Sequence, residues 1–221
     1  MFLASHAVLR VPELLDRILC LVDIRSLLLA AQLVCHDWYN LIIHSPSIQQ
    51  ALHLRPRRNT GGERIQNAFL AELFPPWFDN DKAGAEGYKP HEFLRMALAS
   101  NRDVLLKENP TLDRMLVAQP PVLRVGIWKK SHDMRRDGHK FEMLEFPNGL
   151  RMGEFYEVGQ KQLLEAVSDF RVVWDMADTK QLKKGKYGRE LEVSQMKKML
   201  RLARKVDVMV VCSRFVRSVG V

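Results

Sequence analysis

Three cysteines and seven histidines are the side chains of this 221-residue chain best suited to nucleophilic or metal chemistry. Their spacing points to neither. Cys20, Cys35 and Cys212 contain no Cys-x-x-Cys pair, and an odd number argues against a disulfide framework or a zinc knuckle. Cys35 falls in an apolar helical pattern without an adjacent base, which reads as a buried structural thiol; Cys212 follows a strand-like run and reads the same way. Of His6, His36, His44, His53, His91, His132 and His139, only the late pair His132 and His139 flanks a segment with acidic neighbours, Asp133 and Asp137. A metal there would need those co-ligands at close range, and a charged loop is first of all a solvated one. Lys183-Lys184-Gly185-Lys186-Tyr187-Gly188 has the glycines and lysines of a phosphate-cradling loop but not their order or spacing. Neither His-Glu-x-x-His nor Gly-x-Ser-x-Gly occurs. The sequence therefore assigns no catalytic residue, metal ligand or cofactor, and the expectation is a protein that is not an enzyme.

Charge is the more informative signal. Ten basic residues lie between Lys180 and Lys205, opposed only by Glu190 and Glu192, so this stretch carries as much net charge, +8, as the whole chain. Lys183, Lys184, Lys186, Lys197, Lys198, Arg201, Arg204 and Lys205 are the candidate surface for an anionic partner. Phosphates would be attracted to it, although Tyr187 is the single aromatic available for base stacking. A solvated helix face, an acidic protein partner, and nucleic acid or nuclear import all remain open readings.

The elements that position these residues divide the chain. In residues 1–54, 33 of 54 are apolar, about 61%, against 47% overall. Pro12, Glu13 and Asp16 suit a helix start, and Leu14, Leu15, Ile18, Leu19 and Val22 recur at helical spacing. Ser26 is the expected N-cap of a second helix through Leu27, Leu28 and Leu29. Val34, Trp38, Leu41 and Ile42 mark a third, and Ser45 before Pro46 caps a fourth. A bundle this small buries only about 60% of its unfolded surface. Its surplus apolar area must be covered by the rest of the chain or by another protein.

The ordered set Val11-Pro12-Glu13-Leu14-Leu15, Ile18-Leu19, Leu27-Leu28-Leu29, Val34-Cys35 and Trp38 resembles an F-box, the helical module that docks onto the Skp-type adaptor of SCF ubiquitin ligases. The resemblance implies that Val11, Pro12, Leu14, Ile18, Leu19, Leu28, Val34, Cys35 and Trp38 face that adaptor or hold the face. Val11 stands where the family usually has Leu, and His36 and Asp37 stand where it usually has basic residues. It further implies a cullin-RING ligase reached through the adaptor, a protein substrate of unknown identity, and a location in cytoplasm or nucleus.

Beyond Leu54, Arg55 to Gly62 reads as a linker, followed by a short helix over Ile65 to Phe74 that Pro75-Pro76 stops. Asp79 to Pro90 reads as a loop, His91 to Leu98 as a helix, and Thr111 as the N-cap of another. Val122 to Trp128 and Lys140 to Phe146 look like strands around the charged loop Lys129 to His139; Pro147-Asn148-Gly149 is a turn. Helix over Phe155 to Val167, strand over Phe170 to Trp174, helix over Glu190 to Lys205 and strand over Val206 to Val211 complete the pattern, with Phe215 to Val219 less regular. Leu73-Phe74-Pro75-Pro76-Trp77-Phe78, Arg114-Met115-Leu116-Val117 with Gln119-Pro120-Pro121, and Phe146 to Gly153 resemble segments recurrent in F-box proteins of filamentous fungi. The expected organisation is an F-box at 8–54, a linker with a short helix at 55–92, and an α+β domain with a mixed sheet at 93–221. No uncharged apolar run reaches the roughly 18 residues of a membrane span. Interruptions at His6, Arg10, Pro12 and Glu13 leave no secretory core.

Overall fold

The computed structural model describes residue 9 and residues 11–57, 62–78, 110–132, 137–164, 167–174 and 193–215. Its architecture is α+β: short N-terminal helices, then a sheet flanked by helices.

Helices α1 (Pro12–Leu19), α2 (Ile24–Leu29), α3 (His36–His44) and α4 (Pro46–Ala51) form the first part, with a 3-10 turn, Ala31–Leu33, between α2 and α3. Pro12 opens α1 where its missing N–H costs nothing. Ser45 caps α4 as expected, its Oγ accepting from the Ile48 N–H. The cap of α2 is Asp23, not Ser26: the Asp23 carboxylate accepts from the Ser26 N–H at 2.9 Å. An Asp three residues ahead of that N–H reaches it directly, and the helix accordingly starts three residues earlier than a Ser26 cap suggests. Leu15, Leu19, Leu27, Ile42, Ile48 and Leu52 meet in a small separate core.

The segment read as a linker with one helix carries more structure than that. β1 (Ile65–Gln66) pairs antiparallel with β2 (Ala118–Gln119), and α5 (Ala68–Leu73) is capped by Asn67. Pro75-Pro76 ends α5 but also begins a further turn, α6 (Pro75–Phe78), because proline suits a first turn as well as it breaks a later one. Leu70, Phe74, Trp77 and Phe78 are all in the main core. Helix α7 (Pro110–Arg114) starts at Pro110, so Thr111 lies within it rather than capping it.

Four strands make the mixed sheet, in the order β4-β3-β6-β5: β3 (Arg124–His132), β4 (Asp137–Glu145), β5 (Val167–Val173) and β6 (Val208–Phe215). β3 is antiparallel to β4 and parallel to β6, and β5 is antiparallel to β6. The expected loop Lys129 to His139 is largely strand, with Lys129 opposite Lys140 and His132 opposite Asp137. β3 lies between two partners, and backbone pairing on both sides outweighs its charged composition. Pro147-Asn148-Gly149 does turn, with Gly149 at φ +83°, where a Cβ would also lie 2.7 Å from the Pro121 Cβ.

Side chains alternate across the sheet. Val125, Ile127, Phe170, Val172, Val208 and Val210 face α5, α6 and α8 (Met152–Leu164). Trp77 is the centre of that side, stacked on Tyr156 at 5.2 Å and donating its Nε1–H to the Phe155 carbonyl at 3.2 Å. Gly159 lets the indole lie this close; a Cβ there would sit 2.6 Å from Nε1. Trp128, Val173, Met209 and Val211 face the other side, under Met199 and Ala203 of α9 (Val193–Ala203).

The helical part is joined to the sheet part by buried contacts and a polar joint. Ile24, Leu28 and Leu54 pack on the main core. Gln119 donates to the Gln50 and Arg55 carbonyls at 2.8 and 3.2 Å and accepts from the Arg57 N–H at 3.2 Å. His53, at φ +58°, turns the chain out of α4, and its carbonyl accepts from the Leu116 N–H at 2.8 Å. Burial pushes the His53 imidazole down to about 4; the Arg57 charge adds to this and a hydrogen bond at the Leu116 backbone opposes it.

That depression makes stability depend on pH. Above the ordinary histidine value of about 6.5, His53 is neutral in both states and its contribution is complete. Below it the unfolded chain gains a proton that the folded chain refuses until about 4, so stability falls through that window. Urea unfolding at pH 7.5 and pH 5 should differ by about 2 kcal/mol from this residue. His53→Asn, which tolerates the left-handed backbone, should remove most of that difference.

Candidate protein-docking site

The helices that build the first core also divide their apolar residues between an inner and an outer side. On α1, Leu15 and Leu19 point in, while Val11, Leu14 and Ile18, at i, i+3 and i+7, share the outer side. Leu14 is 41% and Ile18 39% exposed; Leu21, just past the helix, is 88% exposed, and Leu33 in the 3-10 turn 82%. Leu29, Val34, Tyr39 and Ile43 are exposed as well, the last two at i and i+4 on α3. Ten of the thirteen exposed large apolar residues of the described chain lie between Leu9 and Ile43. Scattered apolar residues on a surface need no explanation, but their concentration on one small module makes this side the candidate site.

The outer side is held by polar contacts as well as by the core. Ser45 Oγ donates to one Asp16 oxygen and Ser47 Oγ to the other at 2.6 Å, tying α1 to the start of α4. Gln49 Nε2 donates to the Ile42 carbonyl at 2.8 Å, tying α4 to α3. Arg25 pairs with Glu72 at 2.8 Å, but both are exposed, so that pair contributes little.

The expected docking residues fall into three groups. Val11, Pro12, Leu14, Ile18, Val34 and Cys35 are exposed. Leu28 and Trp38 are half-buried: Trp38 packs on the helical core, and Leu28 lies between that core and the main one. Leu19 is fully buried and holds the helix instead of facing outward. Cys35 corrects another expectation: it is exposed at the N-cap of α3, where the extended backbone (φ −166°) turns it out of the helix. Cys212 is buried as expected and donates weakly to the Trp128 carbonyl at 3.8 Å. Leu21, Leu33, Tyr39 and Ile43 were not singled out by sequence, and Leu29 was named in the motif but not as a docking residue; all five are exposed. The apolar excess of the first 54 residues was their signal.

The second candidate surface is partly described. Lys197, Lys198, Arg201, Arg204 and Lys205 are all exposed, whereas Lys183, Lys184 and Lys186 lie outside the described residues. Asp133 lies outside them too, and His139 stacks on Trp128 at 5.5 Å. Among the described residues no helix is long and apolar enough to cross a membrane. No family model matches the chain, and no curated protein or solved structure matches it.

Inner and outer residues should differ in how much substitution costs. Leu15→Ala or Leu19→Ala should cost about 2–5 kcal/mol of unfolding free energy. Leu14→Ser or Ile18→Ser should change it by less than about 1 kcal/mol. Chemical denaturation of the four variants checks both.

Proposed function

We propose that the chain is an F-box substrate receptor, binding a Skp-type adaptor through its N-terminal helices and presenting a protein target to a ubiquitin ligase. The observation that carries this reading is the outward apolar side of α1 to α3, to which Val11, Leu14, Ile18 and Val34 of the motif that resembles the docking module contribute. Fully covering a leucine as exposed as Leu21 or Leu33 yields about 1.5–3 kcal/mol. Association costs about 4–15 kcal/mol in lost freedom and ordering, so a partner must cover several of these residues at once. A helical groove or layer does that; a small ligand does not.

The sheet part fits the role of a rigid carrier. Gln119 and the buried contacts of Leu28 and Leu54 hold it against the docking helices. A target held at fixed geometry reaches the transfer enzyme at raised effective concentration, and no residue of this chain takes part in the transfer.

Co-purification with a Skp-type adaptor tests the reading. Wild type should form a stoichiometric complex, and Leu14→Asp with Ile18→Asp should weaken it at least tenfold without lowering the melting temperature. Absence of a wild-type complex would contradict the proposal.

A further inference from the structure

From Lys197 onward the exposed side of α9 is basic, and nothing in the reading above uses it. At about 100° per residue, Lys197, Lys198, Arg201, Arg204 and Lys205 fall within a stripe about 120° wide and about 12 Å long. Hydrogen bonds from the Arg204 and Lys205 N–H groups to the Leu200 and Leu202 carbonyls carry the helical path past Ala203 and keep the last two cations on that stripe. Met199 and Ala203 hold the opposite side against the sheet.

These five cations differ from three others near the sheet. Arg64 is paired with Asp207 at 3.0 Å, and Lys130 and Arg171 are buried. No described residue gives Lys197, Lys198, Arg201, Arg204 or Lys205 an ion pair. Asp207, the acid that follows them along the chain, is turned inward: Oδ1 meets Arg64, and Oδ2 accepts from the Leu123 and Arg124 N–H groups at 2.7 and 2.9 Å. Arg201 therefore has like charges at i−4, i−3, i+3 and i+4, an arrangement that destabilises an isolated helix. The helix dipole offsets it only for the cations in the last turn.

We infer that this face of α9 binds the phosphate backbone of duplex nucleic acid, independently of sequence. Three features select that partner. A protein interface is centred on buried apolar anchors, and the stripe has none: no residue from 197 to 213 is among the exposed large apolar residues. Single strands bind by stacking on aromatics, and the stripe has no aromatic. A duplex presents one charge per about 1.7 Å and asks only for cations held in register with it.

Fluorescence anisotropy of the full chain with a labelled mixed-sequence DNA duplex of about 20 base pairs, over about 50–200 mM KCl, tests this. Binding should weaken linearly on a log–log plot with a slope of about −4.5 if all five cations meet phosphates. The set Lys197→Gln, Arg201→Gln and Lys205→Gln should reduce the slope by about 2.7, with an unchanged circular-dichroism spectrum. The pair Leu14→Asp and Ile18→Asp should leave it unaltered, which separates this result from adaptor docking. No binding at the lowest salt, an unaltered slope in the folded glutamine variant, or equal competition by polyglutamate at matched charge would each overturn the inference.

Discussion

Both faces of the mixed sheet are covered by helices of the same chain, and that requirement governs where the other apolar residues can go. One face takes α5, α6 and α8, with Trp77 at the centre; the other takes α9 through Met199 and Ala203. The helices needed for the first face include those of the segment between the N-terminal module and the sheet. They lie under the sheet, and α5 also meets α2 at the Arg25–Glu72 pair. Of the described N-terminal residues, only Ile24, Leu28 and Leu54 reach the main core. Its own small core absorbs Leu15, Leu19, Leu27 and Ile42. What remains, from Val11 to Ile43, stays in contact with water.

This division explains why apolar content alone says so little and apolar placement so much. The excess in the first 54 residues is compatible with a buried subdomain or a docking module. The two differ only in which side of each helix is covered. In the described chain the inner side is closed by Ile42, Ile48 and Leu52 and by the tie of Asp16 to Ser45 and Ser47. The outer side has no comparable cover among the described residues. The basic face of α9 is a separate surface: it lies across the sheet from α8, and its cations answer to salt, where the outer side of α1 answers to apolar area.

Much of the fold was legible because local signals agreed with tertiary ones. The stripes of α1 and α3, the Ser45 cap, the helix through Phe155 and the strand through Val210 all follow from periodicity and capping. Two of the misreadings share a cause. Lys129, Lys130 and His139 look like loop residues, yet β3 is paired on both sides and β4 follows it. Pro75-Pro76 looks like a stop, yet Trp77 and Phe78 need a further turn to enter the core. In each case partners remote in sequence decided the outcome. The candidate docking residues were partly legible for the same reason: a helical stripe predicts that Leu14 and Leu15 differ in exposure, but only the position of α4 and of the sheet decides which of them faces water.

The central claim is that the outer side of α1 to α3 is open in the free chain and closed by a foreign helical surface. Methyl NMR with a soluble paramagnetic agent measures this directly. The methyl signals of Leu14, Ile18, Leu21 and Leu33 should broaden strongly in the free protein, unlike those of Leu15 and Leu19, and should regain protection when a Skp-type adaptor is added. Methyls of Leu14 and Ile18 as shielded as those of Leu15 and Leu19 in the free chain, or unchanged by the adaptor, would contradict it.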